Sequence, residues 1–149
     1  MTEEHFKILE DYVEKARVLL GLSNWIIKVE REPAPDHCGA DVYVPIHRNY
    51  ATIRVRWDFE TLPEDDQVQV IIHELMHCHT DDMKETIKQI VVHSGMIASP
   101  FCDEAYTLIK AREERMVDTL ALTFLWLCKD IHHLRRIGLN DLVVRKEDV

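Results

Sequence analysis

Hydrophobic residues along this chain change period several times, and each change marks a predicted element. Over residues 3–20, Phe6, Leu9, Tyr12, Val13, Ala16, Leu19 and Leu20 recur at helical spacing, with Glu3, Glu4, Glu10, Glu14 and Lys15 elsewhere. Thr2 suits the N-cap of this helix and Gly21 its stop. From 24 to 31 the period shortens to two. Trp25, Ile27 and Val29 alternate with Ile26, Lys28 and Glu30, which predicts a strand broken by Pro33-Ala34-Pro35-Asp36. Residues 38–44 alternate again through Ala40, Val42 and Val44, and Pro45 to Asn49 reads as a turn. Tyr50 to Trp57 is the clearest strand, with Ile53, Val55 and Trp57 on one face and Thr52, Arg54 and Arg56 on the other. Together these segments predict a small, mostly antiparallel three-stranded sheet.

The remainder is helical. Thr61-Leu62-Pro63-Glu64 fits a helix start, with Thr61 as cap and Glu64 answering it, and Asp65 and Asp66 suit the first turn. This helix is expected to end near His79–Asp82, with a separate helix from Met83 to Met96 closing at Gly95 and Pro100. Residues 102–129 form another long helical pattern. Val117, Leu120, Ala121, Phe124 and Leu125 gather on one side, and Arg112, Arg115, Thr119 and Thr123 on the other. The fold class read from this order is α+β, in one domain over 1–149. Its core covers about 24–129, followed by a basic tail at about 131–149 in which His132 and His133 are expected to be exposed.

Composition narrows the function classes. With 46% apolar and 30% charged residues, the chain reads as an ordinary globular domain. Its net charge of −9 and scattered basic residues argue against a nucleic-acid partner. No apolar run reaches membrane-spanning length, and the acidic start, Met1-Thr2-Glu3-Glu4-His5, lacks the apolar core of a signal peptide. Cys38, Cys78, Cys102 and Cys128 form no C-x-x-C pair and read as reduced thiols, which suits a cytoplasmic location.

The candidate chemistry lies in Ile71-Ile72-His73-Glu74-Leu75-Met76-His77, an H-E-x-x-H. By composition alone this motif is expected roughly 0.05 times in such a chain. On a helix His73 and His77 stand one turn apart on one face, where two imidazoles grip one metal ion, and Glu74 beside them can act as a base toward water. Zinc suits such a set best. Val68, Val70, Ile71, Ile72, Leu75 and Met76 spread around the helix, so it reads as buried, and buried polar groups need partners. In the later helix Glu114 falls within the apolar arc, Asp118 one turn along, and Glu113 at its edge. Glu114 is therefore the expected third ligand, with Glu113 as the alternative if the helix phase shifts. Asp118 is expected to accept a hydrogen bond from a ligand histidine. The competing reading pairs Glu114 and Asp118 with arginines.

His73-Glu74-Leu75-Met76-His77 followed by Glu114-Arg115-Met116-Val117-Asp118-Thr119-Leu120-Ala121 resembles the glutamate-zincins, and within them the ImmA/IrrE-type metallopeptidases of bacteria, phages and mobile elements. The resemblance implies a minimal zincin core, with Zn2+ held by His73, His77 and Glu114, Glu74 as general base, and Asp118 in support. It implies hydrolysis of a peptide bond in a protein substrate, such as a regulatory protein. A SprT-like relative shares the first motif but would bring a third histidine and a basic surface, which the charge of −9 opposes. If the chain is a peptidase, Tyr50–Trp57 is expected to serve as an edge strand for an extended substrate. Tyr50, Tyr106 and His93 are candidates for stabilising the oxyanion. Two other classes stay open: a zinc-bearing regulatory or interaction module without turnover, and a helical domain with no metal.

Overall fold

The computed structural model describes residues 1–35, 38–45, 48–93 and 101–130. In chain order it contains α1 (Glu3–Leu19), β1 (Ile26–Val29), β2 (Ala40–Tyr43), β3 (Tyr50–Val55), a short 3-10 turn (Phe59–Thr61), α2 (Glu64–His93) and α3 (Phe101–Asp130). The class is α+β. Gly95 to Pro100 and the basic tail with His132 and His133 lie outside the described residues.

Local chemistry explains where α1 begins and ends. Thr2 accepts a hydrogen bond from the amide of His5, the two acids Glu3 and Glu4 occupy the first turn, and Gly21 turns the chain at φ 74°. Phe6, Leu9, Tyr12, Val13 and Ala16 face inward. His79 Nε2, on α2, lies 2.9 Å from the carbonyl oxygen of Leu20 and donates to this otherwise orphaned group at the end of α1.

The sheet has the order β1-β3-β2, and it is mixed rather than mostly antiparallel. β2 pairs antiparallel with β3, but β1 pairs parallel with it, Ile26 opposite Tyr50 and Val29 opposite Ile53. The connection between β1 and β2 is long enough to pass the end of β3. Glu30 and Ala34 donate to the carbonyls of Ile53 and Val55 on the way, while Pro33 and Pro35 have no amide to continue a ladder. β3 is therefore the central strand, not an edge. Its Ala51, Ile53 and Val55 are buried against the helices. The strand stops at Val55, and Trp57, expected on the inner face, is 68% exposed.

α2 starts at Glu64, two residues later than Thr61 as its cap would place it. The Thr61 hydroxyl donates to the carbonyl of Asp58 inside the 3-10 turn, and the carbonyl of Pro63 accepts from the amides of Asp66 and Gln67. The helix also does not end at His79–Asp82 but runs on to His93. The polar stretch at Thr80 and Asp81 interrupts the apolar pattern without interrupting the backbone, since it contains neither Gly nor Pro. Both side chains are buried and hydrogen-bonded to α3 or to α2 itself. The middle of α2, with Ile71, Ile72, Leu75, Met76 and Cys78, forms the centre of the core against Val13, Leu22, Ile53, Val117 and Ala121. Burial pushes the Cys78 thiol up to about 12, so it remains protonated. Cys38 and Cys78 are both free. No helix among the described residues is long and apolar enough to cross a membrane.

Leu75 and Ile53 are fully enclosed, so Leu75→Ala or Ile53→Ala should lower unfolding free energy by about 2–5 kcal/mol. Ile26→Ala on the exposed outer strand should change it by less than about 0.5 kcal/mol. Urea denaturation of the three variants checks the ranking.

Candidate metal centre

α2 and α3 pack side by side in opposite directions, shown by the pairings of His73 with Asp118 and of Lys84 with Glu113. This packing brings His73 and His77, one turn apart on α2, to Glu114 on α3. Nε2 of His73 lies 3.3 Å from Nε2 of His77, and Glu114 Oε2 lies 3.5 Å from the first and 3.8 Å from the second. The three donors form one group able to hold a metal ion.

The other nitrogen of each ring faces a carboxylate. His73 Nδ1 is 3.0 Å from Asp118 Oδ1, and His77 Nδ1 is 3.2 Å from Glu113 Oε1. In the neutral rings a carboxylate at Nδ1 selects the tautomer with the proton there. Each Nε2 then carries a lone pair, and the two lone pairs meet the Glu114 carboxylate in one small space. Three acceptors so close repel one another unless a cation or proton sits between them. Bonds of about 2.0–2.2 Å around a tetrahedral ion separate neighbouring donors by roughly 3.3–3.6 Å; two of the three separations fall in that range and the third, at 3.8 Å, lies just beyond it.

The two acids adjacent in sequence divide the work differently from their expected burial. Glu113, placed at the edge by helix phase, is the buried one at 5% exposure; Glu114 and Asp118 line the open side, with side chains 43% and 61% exposed. Burial therefore does not force a partner on Glu114 or Asp118. Among the described residues their ion pairs are with His73 and His77, not with arginines. The apolar arc is narrower than periodicity suggests, because α3 is covered mainly by α2. Leu120, counted in that arc, is 40% exposed.

Glu113 was legible only as an edge residue. The signal that locates it is Val117, one turn on and wholly buried, which puts Glu113 on the same inward stripe. Its Oε1 also accepts from the Thr80 hydroxyl and the Lys84 ammonium, each at 3.1 Å, and Lys84 reaches Asp81 at 3.1 Å. Burial opposes the Glu113 charge, but hydrogen bonds from His77 and Lys84 pull its pKa down to about 2. Burial likewise opposes a charged His77. Its hydrogen bond to Glu113 and the nearby carboxylates of Glu74 and Glu114 outweigh this and hold its pKa above the usual value.

Glu74 projects from the same turn of α2 toward β2. It is 7% exposed, and the backbone amide of Val42 hydrogen-bonds to it. Burial, with the charges of Glu114 and Asp41, pushes its pKa up to about 7, against a smaller opposing pull from His77. A carboxyl poised there exchanges protons readily near neutral pH. The group opens into a cleft of about 1150 Å3 bounded by β2, α2 and α3. Of the three oxyanion candidates, Tyr106 lines this cleft. Tyr50 and His93 do not: Tyr50 begins β3 with the Lys28 ammonium 6.0 Å from its ring centre, and His93 ends α2.

Compared with known families, characterised proteins and solved structures, the chain matches none.

Because Glu113 fixes His77 and also receives Lys84, Glu113→Ala should weaken by about 10–100-fold any zinc binding by this group. Asp118→Ala, at the exposed partner of His73, should weaken it less. Competition against a chromogenic chelator measures both, and the reverse ranking would contradict this account of the site.

Proposed function

We propose that the chain is a zinc-dependent metallopeptidase of the glutamate-zincin type, hydrolysing a peptide bond in a protein substrate, with a regulatory protein as the expected kind of target. The observation that carries this reading is the convergence of His73, His77 and Glu114 donor atoms beside a buried carboxylate, Glu74, within a cleft that has a free strand edge as one wall. Two imidazoles and a carboxylate also occur in redox-active iron centres. A buried carboxyl beside the donors can take a proton from water, which hydrolysis requires and oxygen activation at iron does not.

His73, His77 and Glu114 would hold the ion, oriented by Asp118 and Glu113. Zinc bound there supplies a Lewis acid that polarises the scissile carbonyl and makes water more acidic. Glu74 takes a proton from the attacking water and returns it to the leaving nitrogen, a role that suits a carboxyl buried beside the donors. Its hydrogen bond to the Val42 amide keeps it beside β2, where the substrate backbone would lie.

The substrate strand belongs on β2 rather than on Tyr50–Trp57, since β3 is paired on both sides. Arg56 donates to the carbonyl of Gly39, and the register pairs Asp41 with Arg54 and Tyr43 with Thr52. Gly39, Asp41 and Tyr43 therefore turn their backbone groups toward β3. Ala40, Val42 and Val44 turn theirs outward to the cleft. The Val42 amide is occupied by Glu74, which leaves the groups of Ala40 and Val44 and the Val42 carbonyl for an added strand.

The purified chain should carry about one zinc, lost in His77→Ala and retained in Glu74→Gln. Glu74→Gln should lose at least about a hundred-fold in hydrolysis. Zinc without turnover in the wild type would favour an interaction module; no zinc uptake in either would sink the metal reading. Val44→Pro, which removes one outward amide, should raise KM while zinc content stays unchanged. Equal loss of both would count against strand addition to β2.

A further inference from the structure

The two ends of the cleft differ in charge. The side of Gly39 faces Val70, and the Val42 amide meets Glu74, so β2 and α2 run alongside each other in the same direction. One end of the cleft, at the start of α2, carries Asp66 and Gln69. The other end, beyond the donor cluster, carries Lys84, Lys88 and Lys110 together with the acids Asp81, Glu85 and Glu113, with Tyr106 and Ile109 beside them.

The three lysines are not equivalent. Lys84 is held by Asp81 and Glu113, and Lys88 by Glu85 at 2.5 Å. Lys110 is exposed and has no ion pair among the described residues. It stands one helical turn before Glu114 on the same face of α3. At the opposite end Asp66 likewise has no ion pair among the described residues, so an acidic group placed there meets a like charge. The cleft volume of about 1150 Å3 exceeds the roughly 300–1,000 Å3 typical of small-molecule pockets, which leaves room for an extended peptide reaching both ends.

We propose that Lys110 is a specificity-determining residue, selecting a peptide that presents an Asp or Glu side chain to the α3 end of the cleft. The inference rests on the peptidase reading for the position of that side chain. The four helix residues from Lys110 to Glu114 rise about 6 Å and an extended strand about 3.3 Å per residue, so the acid falls roughly two to four residues from the bond cleaved. Lys110 and the peptide carboxylate form an ion pair at a half-open site, with selectivity of about two- to five-fold.

The test passes a synthetic pool of random-sequence peptides over the immobilised, zinc-loaded chain bearing Glu74→Gln, which separates retention from turnover. The retained fraction should be enriched in Asp and Glu about two- to five-fold. Adding Lys110→Ala should abolish the enrichment, and adding Lys110→Glu should shift it toward Lys and Arg, with zinc content unchanged. No acidic enrichment, or one that survives Lys110→Glu, overturns the proposal. The chain with Glu74 intact is then incubated with the same pool and the new peptide ends are sequenced. An acid at one fixed position from the cut is expected. Lys110-dependent retention with no cleavage would sink the peptidase reading and leave the acid-selecting cleft standing. Cleavage without acid preference would do the reverse.

Discussion

The site depends on two carboxylate–imidazole pairs made between helices. Asp118 and Glu113 on α3 each take the Nδ1 of a histidine on α2. A histidine ring on a helix surface otherwise rotates among rotamers and exchanges tautomers. With Nδ1 held, each ring turns its Nε2 the same way, and Glu114 meets them from the facing helix. Three acceptors brought so close carry an electrostatic cost that only a shared cation or proton relieves. The packing of the helix pair, through Ile72, Leu75, Val117 and Ala121, holds the backbones that place these groups.

The polar groups beneath the site are compensated as a set. Thr80, Asp81, Lys84 and Glu113 lie between the helices, where any one of them alone would lose hydration without return. Lys84 balances two acids, and Glu113 accepts from three donors on one oxygen. This network lets a 30-residue α2 continue through a stretch that interrupts its apolar pattern. It also ties the orientation of His77 to groups a full turn below it.

On the other wall, the placement of β3 in the centre of the sheet leaves β1 and β2 as its edges, with β2 the one that borders the cleft. That order puts the outer edge of β2 beside Glu74, and the amide of Val42 bridges sheet and helix. Sheet edge, Glu74 and donor cluster therefore meet in one cleft, and the connection that carries the chain from β1 past β3 is what makes this possible.

Much of this could be read from residues in order. Period-two and helical spacing located the main strand and helix segments, and H-E-x-x-H at His73–His77 marked the donor helix, because spacing along one regular element depends only on local backbone geometry. What distance in sequence concealed was decided by packing. The parallel pairing of β1 with β3 depends on where a proline-broken loop goes, not on its residues' periodicity. The inward position of Glu113, and the open one of Glu114, depends on how α3 rolls against α2, which a rotation of one residue's angle reverses. The unbroken run of α2 depends on Lys84 and Glu113 satisfying Thr80 and Asp81 from another turn and another helix. Local spacing determined which groups were available; only the packing of α2 on α3 and the order of the sheet decided which of them face one another.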